Sequence, residues 1–251
     1  MELVAKSWLR TRVIRAVVFD KDGTLLDFDA TWNEAIGVAF DQINDVRARE
    51  TSASMFGYDL TLRRVLADSP FVSESNDVTM ALVADFIDAT AFERTINEVS
   101  KLNIVPTHEA AVTLEALVAN GVKLAIATND SEAIAREHVS VLGWTQLFTS
   151  IKGYDSGFGA KPGPGMILAA VEECDASQGS YLMVGDSVHD ILAGQAAGAI
   201  TVAIGNHRAT LSLADHQINK MTDLIGLVEF LQQEAADDST DFASDTTVDD
   251  T

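Results

Sequence analysis

The chain has 251 residues, 47% of them hydrophobic, a single cysteine and a formal net charge of −21 at pH 7. That size and apolar fraction suit one large domain, or a core with a smaller inserted one, and speak against wholesale disorder. The negative charge argues against nucleic-acid or anionic-membrane partners, which need basic patches to displace counterions. A lone Cys174 excludes an internal disulfide and a multi-cysteine metal site. Met1 to Arg15 carries Lys6, Arg10, Arg12 and Arg15 among its apolar residues, which leaves no signal-peptide core, and no run is long enough to span a bilayer. The expectation is a cytoplasmic protein acting on a small molecule.

Ala16-Val17-Val18-Phe19 is a short continuous apolar run of the kind a parallel-sheet strand buried on both faces requires, and it stops on Asp20-Lys21-Asp22-Gly23-Thr24. Sites on such sheets lie beyond the carboxyl ends of the strands, so Asp20 and Asp22 can reach one small volume while Gly23 permits the chain reversal. From Asp27 to about Val105 helical periodicity takes over, as in Ile36, Ala39, Phe40 and Ile43, without an evident buried strand. Gly57-Tyr58-Asp59 and Asp68-Ser69-Pro70 interrupt it. Ser75-Asn76-Asp77 is placed to cap one long amphipathic segment from Val78 to about Ser100, and Pro106 marks the exit. Strand-like segments on both sides make residues 27–105 an inserted helical domain.

A helix after Thr107 runs through Val118, stops at Asn120-Gly121 and gives way to the buried-strand candidate Val122–Ala127, which ends on Thr128-Asn129-Asp130-Ser131. Asp130 or Ser131 can cap the next helix, through about Leu142, and Phe148–Lys152 reads as another strand. The loop Gly157–Pro164 carries Lys161, and a helix follows to about Glu173. Tyr181–Val184 is a strand ending on Gly185-Asp186-Ser187; a helix to Ala197 and the strand Ile200–Ile204 complete the alternation. Strands alternating with helices imply parallel pairing by right-handed crossovers. The expected fold is an α/β Rossmann-like sheet with helices on both faces, built from residues 1–26 and 106–232, with 27–105 inserted. Residues 233–251, rich in Asp, Ser and Thr, are expected to form a disordered acidic tail.

Three strand ends thus supply Asp20 with Asp22, Thr128, and Asp186 with Asp190 nearby, while a loop adds Lys161. Two carboxylates about 4 Å apart at an effective dielectric of about 20 repel by about 4 kcal/mol, so a cation belongs to the site. An all-oxygen donor set without a cysteine or histidine cluster suits Mg²⁺, with a phosphate as remaining partner, and fits zinc poorly. The inventory suits phosphoryl transfer. Asp20 is placed as the nucleophile that forms an aspartyl-phosphate, and Asp22 as general acid and then base, with a pKa raised by its neighbours. Thr128 can donate its hydroxyl to a phosphoryl oxygen, and Lys161 adds positive charge where those oxygens gain density.

In these residues the chain resembles the haloacid dehalogenase-like (HAD) hydrolase superfamily, in particular its phosphatases similar to phosphoglycolate phosphatase. Asp20-Lys21-Asp22-Gly23-Thr24, Thr128-Asn129, Lys161-Pro162-Gly163-Pro164 and Gly185-Asp186-Ser187-Val188-His189-Asp190 match its four motifs in order, and the resemblance spans roughly Val13 to Phe230. By that resemblance Asp20 and Asp186 are carboxylate ligands of Mg²⁺, and Asp22 binds the metal through its backbone carbonyl. Asp190 stands behind them, oriented towards metal-bound water or Lys161. Asn129 and the backbone after Asp20, including Gly23, line the phosphate pocket. The insert looks like the family's helical cap, closing over the substrate and excluding water. Trp32 and Tyr58 are its best-placed pocket residues, ahead of Arg47, Arg49, Met55 and Phe56. Lys21 stands where many relatives carry an aromatic residue. His189 reads as a surface residue, and His108, His138, His207 and His216 are assigned no chemistry.

The implied activity is Mg²⁺-dependent hydrolysis of a small phosphomonoester, phosphoglycolate-like or a sugar phosphate. Asp22 separates the chain from the metal-independent dehalogenases, which lack it. A phosphomutase similar to β-phosphoglucomutase would share every motif. A non-catalytic phospho-acceptor module, as in signalling receiver domains, would share the aspartate, Thr/Ser, lysine and Mg²⁺, but it has no need of a second acid or a long helical insert. Oligomeric state is open at this level.

Overall fold

A computed structural model describes residues 13–244 of the chain. Its first strand, β1 (Ala16–Phe19), is buried along its whole length. Then come α1 (Phe28–Asp41), α2 (Val46–Phe56), the short strands β2 (Tyr58–Asp59) and β3 (Arg64–Val65), α3 (Pro70–Ser73), α4 (Asn76–Val83) and α5 (Ala89–Ser100). Helix and strand alternate from there: α6 (Ala110–Ala119), β4 (Lys123–Ala127), α7 (Glu132–Val141), β5 (Phe148–Lys152), α8 (Gly165–Glu173), β6 (Tyr181–Gly185), α9 (Val188–Ala197) and β7 (Ile200–Ile204). The described chain closes with α10 (Arg208–Leu213), β8 (His216–Ile218) and α11 (Asp223–Ser244).

Six strands form one parallel sheet in the order β5-β4-β1-β6-β7-β8, the α/β Rossmann-like arrangement expected. Phe19 at the end of β1 lies beside Ile126 of β4 and Val184 of β6. This register brings the residues that follow these strands to one sheet edge. The period of two divides each strand between two cores. Val17, Phe19, Leu124, Ile126, Leu182 and Val184 pack with Leu114 and Leu117 of α6, Val139 of α7 and Val228 of α11. Ala16, Val18, Ala125, Ala127 and Met183 pack with Met166, Ile167 and Ala170 of α8 and Ala193 of α9.

A third cluster belongs to residues 28–100. Trp32, Ile36 and Phe40 of α1 meet Phe56 of α2, Met80 and Val83 of α4, and Phe92 and Ile96 of α5; Ile134 of α7 joins them from the sheet side. Its centre is aromatic, with the Phe40 ring 4.6 Å from Phe92 and 5.8 Å from Phe56, centroid to centroid. Tilted and edge-on rings at such separations add about 0.5–1.5 kcal/mol per pair beyond the area they bury.

The structure departs from the sequence-based expectation in several elements. The segment from Val78 to Ser100 is two helices, because Asp88 caps α5 by accepting from Ala91 N at 3.0 Å and so ends the preceding turn. The helical region also contains a hairpin, β2–β3, whose strands are too short to show alternation; Asp59 Oδ1 accepts from Thr61 N and Leu62 N, both at 2.9 Å, and turns the loop. α10 and β8 add an edge to the sheet beyond the last predicted strand. α11 runs to Ser244, so residues 233–244 of the expected disordered tail are helical: Leu224, Val228 and Leu231 bury one face of the helix, and extension costs far less than nucleation. Residues 245–251 and 1–12 lie outside the described part of the chain.

Candidate active site

The first motif turns tightly at the end of β1. Asp20 N donates to Val184 O at 2.9 Å, which carries the sheet pairing one residue further, and Leu25 N and Leu26 N both donate to Lys21 O at 2.9 Å. Gly23 sits at φ +89°, and a Cβ there would fall 2.4 Å from Asp186 Oδ2. Both the backbone conformation and the space therefore require glycine. Thr24, buried beside it, donates its hydroxyl to Asp186 Oδ1 at 3.2 Å and so ties the first motif to the fourth.

Thr128 follows β4; its N donates to Lys152 O at 3.0 Å and its Oγ1 accepts from Asp130 N at 3.1 Å. Asn129 braces the backbone of Lys161, accepting from its N at 2.8 Å and donating to its carbonyl at 3.1 Å. Lys161, 5% exposed and followed by a cis proline, points its Nζ at Asp20 Oδ1, 2.5 Å away, and at Asp190 Oδ1, 2.6 Å away. Asp190 lies in the first turn of α9, where its Oδ2 accepts from Ser187 N and Oγ in a reciprocal cap. With both oxygens engaged, Asp190 is fixed, and it fixes Lys161.

Asp20, Asp186 and Asp190 each place a carboxylate oxygen within 4.8 Å of the others. Burial pushes Asp20 well above the usual carboxylate range, Lys161 opposes this, and the neighbouring carboxylates reinforce it. Burial and then Asp190 push Asp186 up to about 7. So much buried negative charge around one lysine calls for a further cation. The donors are oxygens, with no histidine or cysteine in the group among the described residues, which fits a hard divalent metal. Asp22 keeps its side chain out of this group.

Asp22 also differs from expectation in its acidity. Burial alone would raise its pKa, but the Lys21 ammonium 2.5 Å away, His138, and hydrogen bonds from Lys21 and Trp32 bring it below the usual value. Lys21 is itself buried. Burial would lower its pKa, and Asp22 with Asp130 more than offset this. The sequence places Lys21 where many relatives carry an aromatic residue and assigns His138 no chemistry, yet the two stand 3.4 Å apart beneath the site. Nothing in a separation of 117 residues could have paired them. Thr24 is legible as part of the motif, but its partner Asp186, 162 residues away, is not.

A cavity of about 440 Å³ opens over these strand ends, bounded by Asp20, Asp22, Gly23, Thr128, Asn129, Lys161, Asp186 and Asp190 from the sheet side and by residues of α1, α3, α4 and α5 on the other. Trp32 reaches it, with Nε1 donating to Asp22 Oδ1 at 2.7 Å. Tyr58 does not: its ring packs on Phe40 and its hydroxyl donates to Asn33 O at 2.8 Å, because a residue in the β2–β3 hairpin faces the helical cluster. Arg47, Arg49, Met55 and Phe56 stay away from the cavity too, whereas His189 lies on its wall. No described helix is long and apolar enough to cross a membrane.

Residues 17–204 match the family model of the haloacid dehalogenase-like hydrolases. A phosphoglycolate phosphatase of Xylella fastidiosa (strain 9a5c) is 32% identical over 214 residues, covering 83% of this chain and 85% of that protein. One from Aquifex aeolicus (strain VF5) is 26% identical over 221 residues, 86% and 97% respectively. Among solved structures, a HAD phosphatase from Thermococcus onnurineus aligns with a TM-score of 0.64 at 24% identity, over 85% of this chain and 97% of that one. CbbY from Rhodobacter sphaeroides, in complex with phosphate, aligns with a TM-score of 0.59 at 20% identity, over 84% and 96%. The structural likenesses carry the fold; the family model, spanning most of the chain, carries the kinship. On the family model and the 32% identical relative the chain belongs to the haloacid dehalogenase-like hydrolases, and among them it is a phosphatase of the phosphoglycolate phosphatase-like kind.

Proposed function

We propose that the protein is a Mg²⁺-dependent phosphatase that hydrolyses a small phosphomonoester through an aspartyl-phosphate on Asp20. The observation that carries this reading is the meeting of Asp20, Lys161, Asp186 and Asp190 at one sheet edge under a single cavity. Asp20 and Asp186, with the Asp22 backbone carbonyl, would hold the ion, whose charge lets an anionic ester approach an anionic nucleophile. Asp20 Oδ1 is anchored by Lys161, which leaves its other oxygen to bond phosphorus as the ester oxygen departs. Thr128 and Lys161 face the phosphoryl oxygens, and the Gly23 backbone and Asn129 complete their pocket. Within each turnover Asp22 gives a proton to the leaving alkoxide and takes one back from the water that cleaves the acyl phosphate, so no net proton is consumed at this residue; its lowered pKa favours the second, base step.

Residues 27–105 serve in this reading as a cap over residues 1–26 and 106–232. The cap side of the cavity holds Asn76, Asn97, Glu74 and Glu93, with no lysine or arginine among its described residues. Amides and carboxylates suit hydroxyl groups better than a second anion, which favours a sugar phosphate over 2-phosphoglycolate. The test is release of inorganic phosphate from a panel of phosphomonoesters with and without Mg²⁺. Repeated turnover that chelation abolishes supports the reading, and a single stoichiometric phosphorylation without release would make the protein a phospho-acceptor instead.

A further inference from the structure

Lys21 is the residue of the first motif left without a task, and it is only 1% exposed, although lysines rarely bury their ammonium. Its Nζ lies 2.5 Å from Asp22 Oδ2, 3.2 Å from Asp130 Oδ2 and 3.4 Å from His138 Nδ1, and 5.1 Å from the centre of the Trp32 ring. An ammonium can only donate, so His138 Nδ1 accepts and the imidazole proton sits on Nε2. Nε2 then donates to Ser100 Oγ at 3.2 Å, and that hydroxyl donates to Asn97 O at 3.1 Å. At the other end, Asp22 Oδ1 accepts from Trp32 Nε1 at 2.7 Å. Both oxygens of Asp22 are thus held, one from beneath by Lys21 and one from α1.

We propose that Lys21 is a positioning residue: it fixes the Asp22 carboxylate at the cavity wall against Trp32 and, through His138 and Ser100, anchors it to α7 and α5. Lys21 itself lies outside the cavity wall and acts on the ester only through Asp22. A buried carboxylate with one bond could swing about its side-chain torsions; with two it keeps one rotamer, and proton transfer is sensitive to such placement. The inference rests on the phosphatase reading above and adds to it a residue that the motif leaves free.

The test is a kinetic cycle on wild type, Lys21→Met, Asp22→Asn and the double variant. The substrates are an alkyl ester (the better of 2-phosphoglycolate and glucose 6-phosphate) and p-nitrophenyl phosphate, whose leaving group departs without a proton. Lys21→Met should lower kcat/KM by about 10²-fold for the alkyl ester, with KM nearly unchanged, and by less than about threefold for the aryl ester. In the Asp22→Asn background the same substitution should cost no more than about twofold, since both changes remove one function. Lys21→Gln keeps a donor towards Asp22 and should fall between; it carries the comparison if Lys21→Met fails to fold. Equal losses on both esters, a loss that multiplies that of Asp22→Asn, or unchanged kinetics would overturn the inference. Wild-type protein inert towards all three esters would overturn the phosphatase reading itself, and this inference with it.

Discussion

At the sheet edge, Asp20 and Thr128 are held by the ladders they continue: Asp20 N bonds Val184 O, and Thr128 N bonds Lys152 O, so strand pairing spaces their side chains. Residues 28–100 have no such ladder facing the cavity. Trp32 and Tyr58 are both aromatic and both buried, yet one bonds Asp22 and the other turns its hydroxyl to Asn33 O. The difference is physical. A residue just past a parallel strand is aimed by topology, whereas a residue on a packed helix or hairpin is aimed by how its neighbours rotate the element, a sum of many small contacts.

The largest break in that contrast should come from the sheet edge. Asp186→Asn removes one carboxylate from the buried group, and activity should fall at least about 10³-fold. Thermal melts should show the same change: Mg²⁺ at 100 times its Kd adds about 2.7 kcal/mol to a protein that binds it only when folded, and the variant should lose that increment. A second test falls on His138, which joins the two regions and whose pKa burial lowers to about 3. Its ordinary value is about 6.5, so between these limits the unfolded chain binds a proton that the folded one refuses, and stability drops as pH falls. His138→Gln should therefore flatten the stability curve by up to about 1.4 kcal/mol per pH unit below pH 6.5, measured by urea unfolding.

Smaller effects sharpen the comparison within residues 28–100. Trp32→Phe keeps most of the ring volume and removes the donor to Asp22; we expect about a tenfold lower kcat with little change in KM. Tyr58→Phe removes only the bond to Asn33 O, costing about 1 kcal/mol of stability and leaving kcat/KM unchanged. If Tyr58→Phe altered kinetics more than Trp32→Phe, the assignment of the two rings would be reversed.

Most of the sheet could be read from the chain, because runs such as Ala16–Phe19, Tyr181–Val184 and Ile200–Ile204 are short, largely apolar and bounded by turn residues. The convergence of Asp20, Lys161, Asp186 and Asp190 follows from that same order of strands. Elements of two or three residues, β2, β3 and β8, are too short to carry a period. The lowered pKa of Asp22 is out of reach for a different reason: it depends on Lys21 being buried against Asp130 and His138, and burial of a lysine is a property of packing.

The central claim is that phosphorus passes through Asp20. Acid-quenching the protein during turnover and mapping its peptides by mass spectrometry tests it most directly. With p-nitrophenyl phosphate as substrate, we predict one added phosphoryl group on the peptide containing Asp20, seen with wild type, accumulating in Asp22→Asn and absent from Asp20→Asn, which should also be inactive. Turnover that persists in Asp20→Asn, or a phosphoryl group found on another residue, would contradict the account.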